Sequence, residues 1–180
     1  MKDLIIIGAH CPDEEREKLL YTLVNSLLEV KDQFDIMIST HTNPPSYITD
    51  KVDYLFYDKN NELIINDLKY LNQPWFKPDD KSIIFTTFLS GYSTYLAAYR
   101  LFIGGLGLGK ALGYKKAHFI EYDTFLPNFD ELLDNNKLLD SYDSIQYKFP
   151  SSEGMPWGIG NLMSLNITKI DTLFLEYNKE

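Results

Sequence analysis

The chain contains one cysteine, Cys11, so no intramolecular disulfide can staple the fold and a reducing compartment suits it. Long hydrophobic runs are missing as well. No segment approaches the ~20 apolar residues of a membrane-crossing helix, and Met1-Lys2-Asp3 followed by Leu4-Ile5-Ile6-Ile7 is too short for a secretory signal. Positive charge is scarce: 17 Lys plus Arg stand against 26 Asp plus Glu, a net charge of −9. A phosphate-backbone binder needs a basic footprint, so nucleic acid is not an expected partner. These absences point to a cytoplasmic protein with no transmembrane segment. Internal repeats and low-complexity tracts are also lacking.

Aromatics, by contrast, are abundant, with 13 Tyr, 11 Phe and 2 Trp in 180 residues. That length suits one domain, since cores commonly form in units of roughly 100–200 residues. Leu4 to Ala9 is a continuous apolar run of the kind buried on both faces of a parallel sheet. Pro12 stands where a helix can begin, and Asp13, Glu14 and Glu15 load its first turn with suitable charge. Leu19, Leu20, Leu23, Val24, Leu27 and Leu28 then mark a core-facing stripe to about Val30. Residues 35–40 complete a β-α-β unit that should be parallel. Residues 52–58 read as a third strand, and 59–90 as a long irregular excursion with a short strand at 83–85. Tyr92 to Leu112 suits a glycine-bearing helix stopped by Gly113, followed by a strand at 117–123. A short helix from Asp130, a strand at 144–149 and a last amphipathic element to about Leu175 complete an α/β chain with a mostly parallel central sheet flanked by helices.

Gly104-x-x-x-x-Gly109-Lys110 has the outline of a phosphate-binding loop, but Ala111 replaces the magnesium-holding Ser or Thr and too few residues precede the next strand. A glycine-rich helix packed tightly on the sheet is the preferred reading. Glu121-Tyr122-Asp123 is more informative. Two carboxylates at i and i+2 of a strand share a face, and the carboxyl edge of an open α/β sheet is where ligands bind. Hard oxygen donors there suit Mn²⁺ or Mg²⁺ completed by substrate phosphates. His10 and His41 follow buried strands and can border the same cleft, while His118 inside a strand reads as a core residue, as does Cys11. Lys110, Lys115 and Lys116 read as solvated.

Ala98-Tyr99-Arg100, then Ala111-Leu112-Gly113, then a buried strand ending Glu121-Tyr122-Asp123-Thr124, resembles the helix-to-metal-motif stretch of nucleotide-sugar glycosyltransferases of the GT-A fold. Gly8-Ala9-His10 resembles that family's opening nucleotide-binding turn, and the resemblance covers roughly residues 4–126. Glu121 stands where the family has the first Asp of its motif, and no Asn follows Arg100. The resemblance implies a Rossmann-like fold and transfer of a hexosyl group from a nucleoside diphosphate-sugar, UDP favoured, to a hydroxyl of a glycan or lipid-linked acceptor. It implies Asp123 as main metal ligand, with Glu121 on the metal through water or on the donor ribose. Asp58 would meet the base or ribose, Ala9, His10 and Tyr122 would line the nucleotide site, and Arg100 would face the diphosphate or serve as an ion-pair partner. Residues 1–126 would form the donor part of a single domain and 127–180 its acceptor side. There Trp157 between glycines offers a sugar platform or plugs a sheet edge, and Glu153 or Asp171 is the candidate base. A domain that binds nucleotide-sugar without turning it over is the alternative. A nucleotidyltransferase would need a basic glycine-rich loop after the first strand, and Gly8-Ala9-His10-Cys11-Pro12 is not one.

Overall fold

The computed structural model describes residues 2–59, 100–146 and 162–169. The opening apolar run forms β1 (Asp3–Ala9), buried from Leu4 onward. Asp13 caps α1 (Glu14–Leu27): its carboxylate accepts the Arg16 backbone N–H at 3.0 Å, and Glu14, Glu15 and Glu17 occupy the first turn. Pro12 therefore precedes the cap instead of opening the helix. Leu20, Leu23, Val24 and Leu27 are buried, whereas Leu19 and Leu28, on the margins of the expected stripe, are exposed. A 3₁₀ turn (Leu28–Val30) leads to β2 (Phe34–Thr40), which pairs parallel with β1 as the connection requires. The four-residue α2 (Ser46–Thr49) and β3 (Tyr54–Tyr57) follow, β3 parallel on the outer side of β2. Helix α3 spans 100–111. Then come β4 (Lys116–Glu121), α4 (Asp130–Leu138), β5 (Ser144–Gln146) and β6 (Leu162–Asn166), the last running into a 3₁₀ turn at Ile167–Lys169.

The strand order is β3-β2-β1-β4-β6-β5. The first four strands are mutually parallel, but β6 lies antiparallel to β4, and β5 antiparallel to β6. The sheet is thus mixed, which corrects the mostly parallel sheet expected from the sequence. Apolar periodicity reports which faces are buried and carries no information on strand direction, so the reversal at β6 left no trace in it.

Along β1, Ile5, Ile7 and Ala9 face the side covered by α1 and by Leu132 of α4, while Leu4 and Ile6 face α3. The same alternation sends His118 and Ile120 of β4 one way and Ala117 and Phe119 the other. A fully buried Ile contributes about 2 kcal/mol relative to exposure, which is why the two-faced run of β1 occupies the centre. Glycine sets how close α3 can come. A Cβ at Gly105 would lie 2.8 Å from Ile6 Cγ2, and one at Gly109 would lie 2.7 Å from Leu4 Cδ2. The glycine run is therefore a helix pressed on the sheet, as expected, and not a phosphate loop. Its end is set by Gly113 at φ +91°: the Gly113 N–H donates to Lys110 O at 3.0 Å and the Tyr114 N–H to Gly109 O at 3.1 Å.

His118 links β4 to two neighbours. Its Nδ1 lies 2.8 Å from Ser164 Oγ on β6, and its Nε2 lies 3.0 Å from Asn136 Oδ1, whose Nδ2 in turn donates to Asp3 at 3.1 Å. Lys116 is not solvated as expected: its ammonium bonds the Asn136 carbonyl at 2.8 Å and Asp140 at 2.7 Å. Burial pushes the His118 imidazole down to about 4. The unfolded chain takes up this proton near 6.5, so the associated stability is complete above that pH and is lost as pH falls toward 4. About 3 kcal/mol should disappear across that window. Urea denaturation at several pH values checks this, and His118→Gln should flatten the dependence.

Candidate functional site

Strand β1 connects to β2 on one side and has β4 on the other, so the carboxyl ends of β1 and β4 flank a topological switch point, where open α/β sheets form their ligand crevice. Register decides which side chains meet there. Ala9 is opposite Thr40, Thr40 opposite Tyr57, and Gly8 opposite Glu121. The residues leaving these strands therefore follow one another along the edge as Asp58, His41, His10 and Glu121-Tyr122. Backbone bonds extend the pairing by one step, from Asp58 N–H to Thr40 O at 2.9 Å and from Tyr122 N–H to Gly8 O at 3.0 Å.

Strand β4 stops at Glu121, and Tyr122-Asp123 form a turn closed by the Thr124 N–H on Glu121 O at 3.0 Å. The strand at 117–123 expected from the sequence is two residues too long at its end, and strand alternation is not what brings the two carboxylates together. They are nonetheless close enough to interact: burial and the Asp123 charge both push the Glu121 carboxyl up. Among the described residues neither carboxylate receives a hydrogen bond or an ion pair. Two adjacent unpaired acids, one of them half-buried, form an arrangement that a cation would relieve. Among the described residues no group of three or more His, Cys, Asp or Glu is placed to hold a metal ion. Two carboxylates are oxygen donors of the kind Mn²⁺ or Mg²⁺ takes, and a cation held there would need its remaining ligands from phosphate and water.

Of the other expected site residues, Ala9 has its side chain in the core on the α1 side, so only its backbone can face a ligand. Tyr122 packs its ring against the same core, and the Arg16 guanidinium and the nearby Asp123 charge act on its hydroxyl in opposite directions. Asp58 and Arg100 are brought together as an ion pair at 3.3 Å. Arg100 is thus an ion-pair partner to Asp58, one of the two roles open to it from the sequence. His10 Nδ1 lies 2.6 Å from His41 Nε2. Burial lowers both imidazoles; Arg16 further lowers His10 and His10 further lowers His41, while Asp13 and Asp58 act in the opposite direction. Cys11 is buried in the core, its thiol pushed up to about 12 by burial and nearby acids, and its backbone N–H donates to Thr42 Oγ1 at 3.1 Å. It is a packed residue, as expected. Glu153, Asp171 and Trp157 lie outside the described residues.

Three members of the site were not singled out in the sequence. Arg16, placed by the first turn of α1 that the Asp13 cap fixes, a signal present in Asp13-x-x-Arg16, acts on His10 and Tyr122. Thr42 stitches the β2 exit to the β1 exit. Phe125 is 84% exposed two residues beyond Asp123, although Thr124 is buried and Leu126 packs on the core. No helix among the described residues is long and apolar enough to cross a membrane. No protein-family model matches the chain, and no curated protein sequence matches it.

Proposed function

We propose that the crevice is the donor site of a metal-dependent glycosyltransferase of the GT-A type, moving a hexosyl group from a nucleoside diphosphate-sugar to an acceptor hydroxyl. The observation that carries this reading is Glu121 and Asp123, unpaired among the described residues, at the exit of β4 beside the β1–β4 switch point. Asp123 and Glu121 would hold Mn²⁺ or Mg²⁺, which stabilises charge on the leaving diphosphate when bound. Asp58, held in place by Arg100, presents a carboxylate to a base or ribose hydroxyl. Ala9 and His10 bound the nucleotide side through backbone and imidazole. Exposed Phe125 offers a flat apolar face on which an acceptor or donor sugar ring can rest. Residues 127–180 supply the acceptor side, with Glu153 or Asp171 as the group that takes the acceptor proton.

Binding is the first test. UDP or GDP with Mn²⁺, at about a hundred times its dissociation constant, should add about 2.7 kcal/mol and raise the melting temperature by roughly 5–10 °C. EDTA should remove the rise. No shift with any nucleoside diphosphate at millimolar concentration, metal present, rejects the donor site. Donor binding without hydrolysis or transfer would select the non-catalytic nucleotide-sugar-binding domain instead.

A further inference from the structure

The two imidazoles on the sheet edge hydrogen-bond each other, and the bond leaves His10 Nε2 outside it. Because His10 Nδ1 meets His41 Nε2 at 2.6 Å, the remaining polar atom of His10 is Nε2, and it takes no partner among the described residues. The rings are tilted by 51° with centroids 4.8 Å apart, a geometry set by the parallel exits of β1 and β2 rather than by stacking. Both residues are half-buried, and Thr42 ties the two exits together through the Cys11 N–H. The pair is therefore preassembled, which lowers the cost of ordering it around a ligand.

Two proton arrangements are open to the neutral pair. In one, His41 Nε2–H donates to His10 Nδ1, and His10 Nε2–H already faces outward as a donor. In the other, His10 Nδ1–H donates to His41 Nε2, and His10 Nε2 carries a lone pair. Adding a proton to that lone pair gives an imidazolium whose two N–H groups are both used, one on His41 and one on an incoming anion. Both bonds are then charge-assisted, about twice as strong as neutral ones. Among the described residues, the charged groups that act on the pair are Asp13 and Arg16 of the α1 cap on His10 and Asp58 at the β3 exit, with its partner Arg100 from α3, on His41, while Glu121 and Asp123 stand at the neighbouring β4 exit. Asp58 and Asp13 favour the added proton, whereas Arg16 opposes it. Cys11, held as a thiol, neither supplies nor competes for it.

We propose that His10 and His41 form a proton-coupled phosphate subsite: His10 Nε2 receives a diphosphate oxygen, and the pair takes up one proton from solvent as the anion binds. His41 is a positioning residue that acts through His10. The inference rests on the diphosphate reading of the crevice. Burial keeps the empty pair neutral near pH 7, so the proton arrives with the ligand, and affinity falls by up to tenfold for each pH unit above the free pair's titration.

Isothermal titration of the full chain with UDP and, separately, with inorganic pyrophosphate reads this directly. Mg²⁺ is used because it prefers oxygen over imidazole. Repeating each titration at pH 7 in buffers of different ionisation enthalpy gives the protons taken up. Approximately one proton is expected for the wild type, and His10→Gln and His41→Gln should abolish the uptake and flatten the affinity between pH 6 and 8. Binding without uptake, or uptake unchanged in both variants, overturns the subsite while leaving the donor reading intact. Pyrophosphate binding with uptake but no UDP binding supports the subsite and rejects the nucleoside reading. Failure of both probes to bind overturns both.

Discussion

Asp123→Asn should lower metal-dependent turnover of a UDP-sugar by about three orders of magnitude, the rate equivalent of the several kcal/mol that a Lewis acid contributes at a leaving group. It should do so without loss of fold. Asp123 is exposed and, among the described residues, has no hydrogen bond or ion pair to lose. Its interaction with Glu121 is unfavourable, because its charge, after burial, pushes the Glu121 carboxyl up. A carboxyl raised on folding binds more protons in the native state, so it destabilises the protein above its own titration and the penalty fades as pH falls through it. Asp123→Asn should relieve part of that penalty, leaving the melting temperature equal to or above that of the wild type in EDTA, with the Mn²⁺-dependent increment gone. Scanning calorimetry with and without metal, alongside donor turnover, checks both halves. Lower stability in EDTA would identify Asp123 as a structural residue, and unchanged turnover would remove it from the chemistry.

Gly105→Val and Gly107→Ala, two residues apart on α3, should move stability in opposite directions. At Gly105 the first added carbon already stands 2.8 Å from Ile6 Cγ2 and 3.4 Å from Ser39 Cβ. Ile6 is fully buried in β1, and Ser39 is held by its hydroxyl on Leu101 O at 2.6 Å, so neither yields easily. Two methyls beyond that carbon should force α3 off the sheet and cost about 3 kcal/mol or more. At Gly107 a Cβ meets nothing within 4 Å, and the helix gains what glycine forfeits, about 1 kcal/mol. Urea midpoints for the two variants provide the measurement. A Gly105→Val protein as stable as wild type would mean that α3 does not rest on β1 at this distance.

Much of this arrangement is legible in the chain because it follows from short-range chemistry. The two-faced run Leu4 to Ala9, the cap Asp13 with its acidic first turn, and the stop at Gly113 each act within a few residues. The glycine run of α3 points to close packing, and Gly104, Gly105 and Gly109 have that close neighbour while Gly107 has none. Long-range facts were not. The reversal of β6 depends on how the chain returns from β5, and the end of β4 at Glu121 depends on how far its neighbour β1 extends. His10 and His41 are 31 residues apart, and only the Ala9–Thr40 register brings their rings together. Lys116 looked solvated because its partners, Asn136 and Asp140, sit on α4 and just beyond it.

The central pairing of Leu4 with Ala117 also sets an order of assembly. During synthesis β1, α1, β2 and β3 emerge first and can close among themselves, leaving one edge of β1 with unpaired backbone groups. That edge belongs to the most apolar of the described strands, the kind that pairs readily with a foreign chain. It stays open until β4 has been made, and closing the long intervening segment onto it carries the entropic penalty that slows non-local pairing. The step that joins β4 to β1 is also the step that creates the crevice, so the nascent chain has no ligand site until its most aggregation-prone edge is covered.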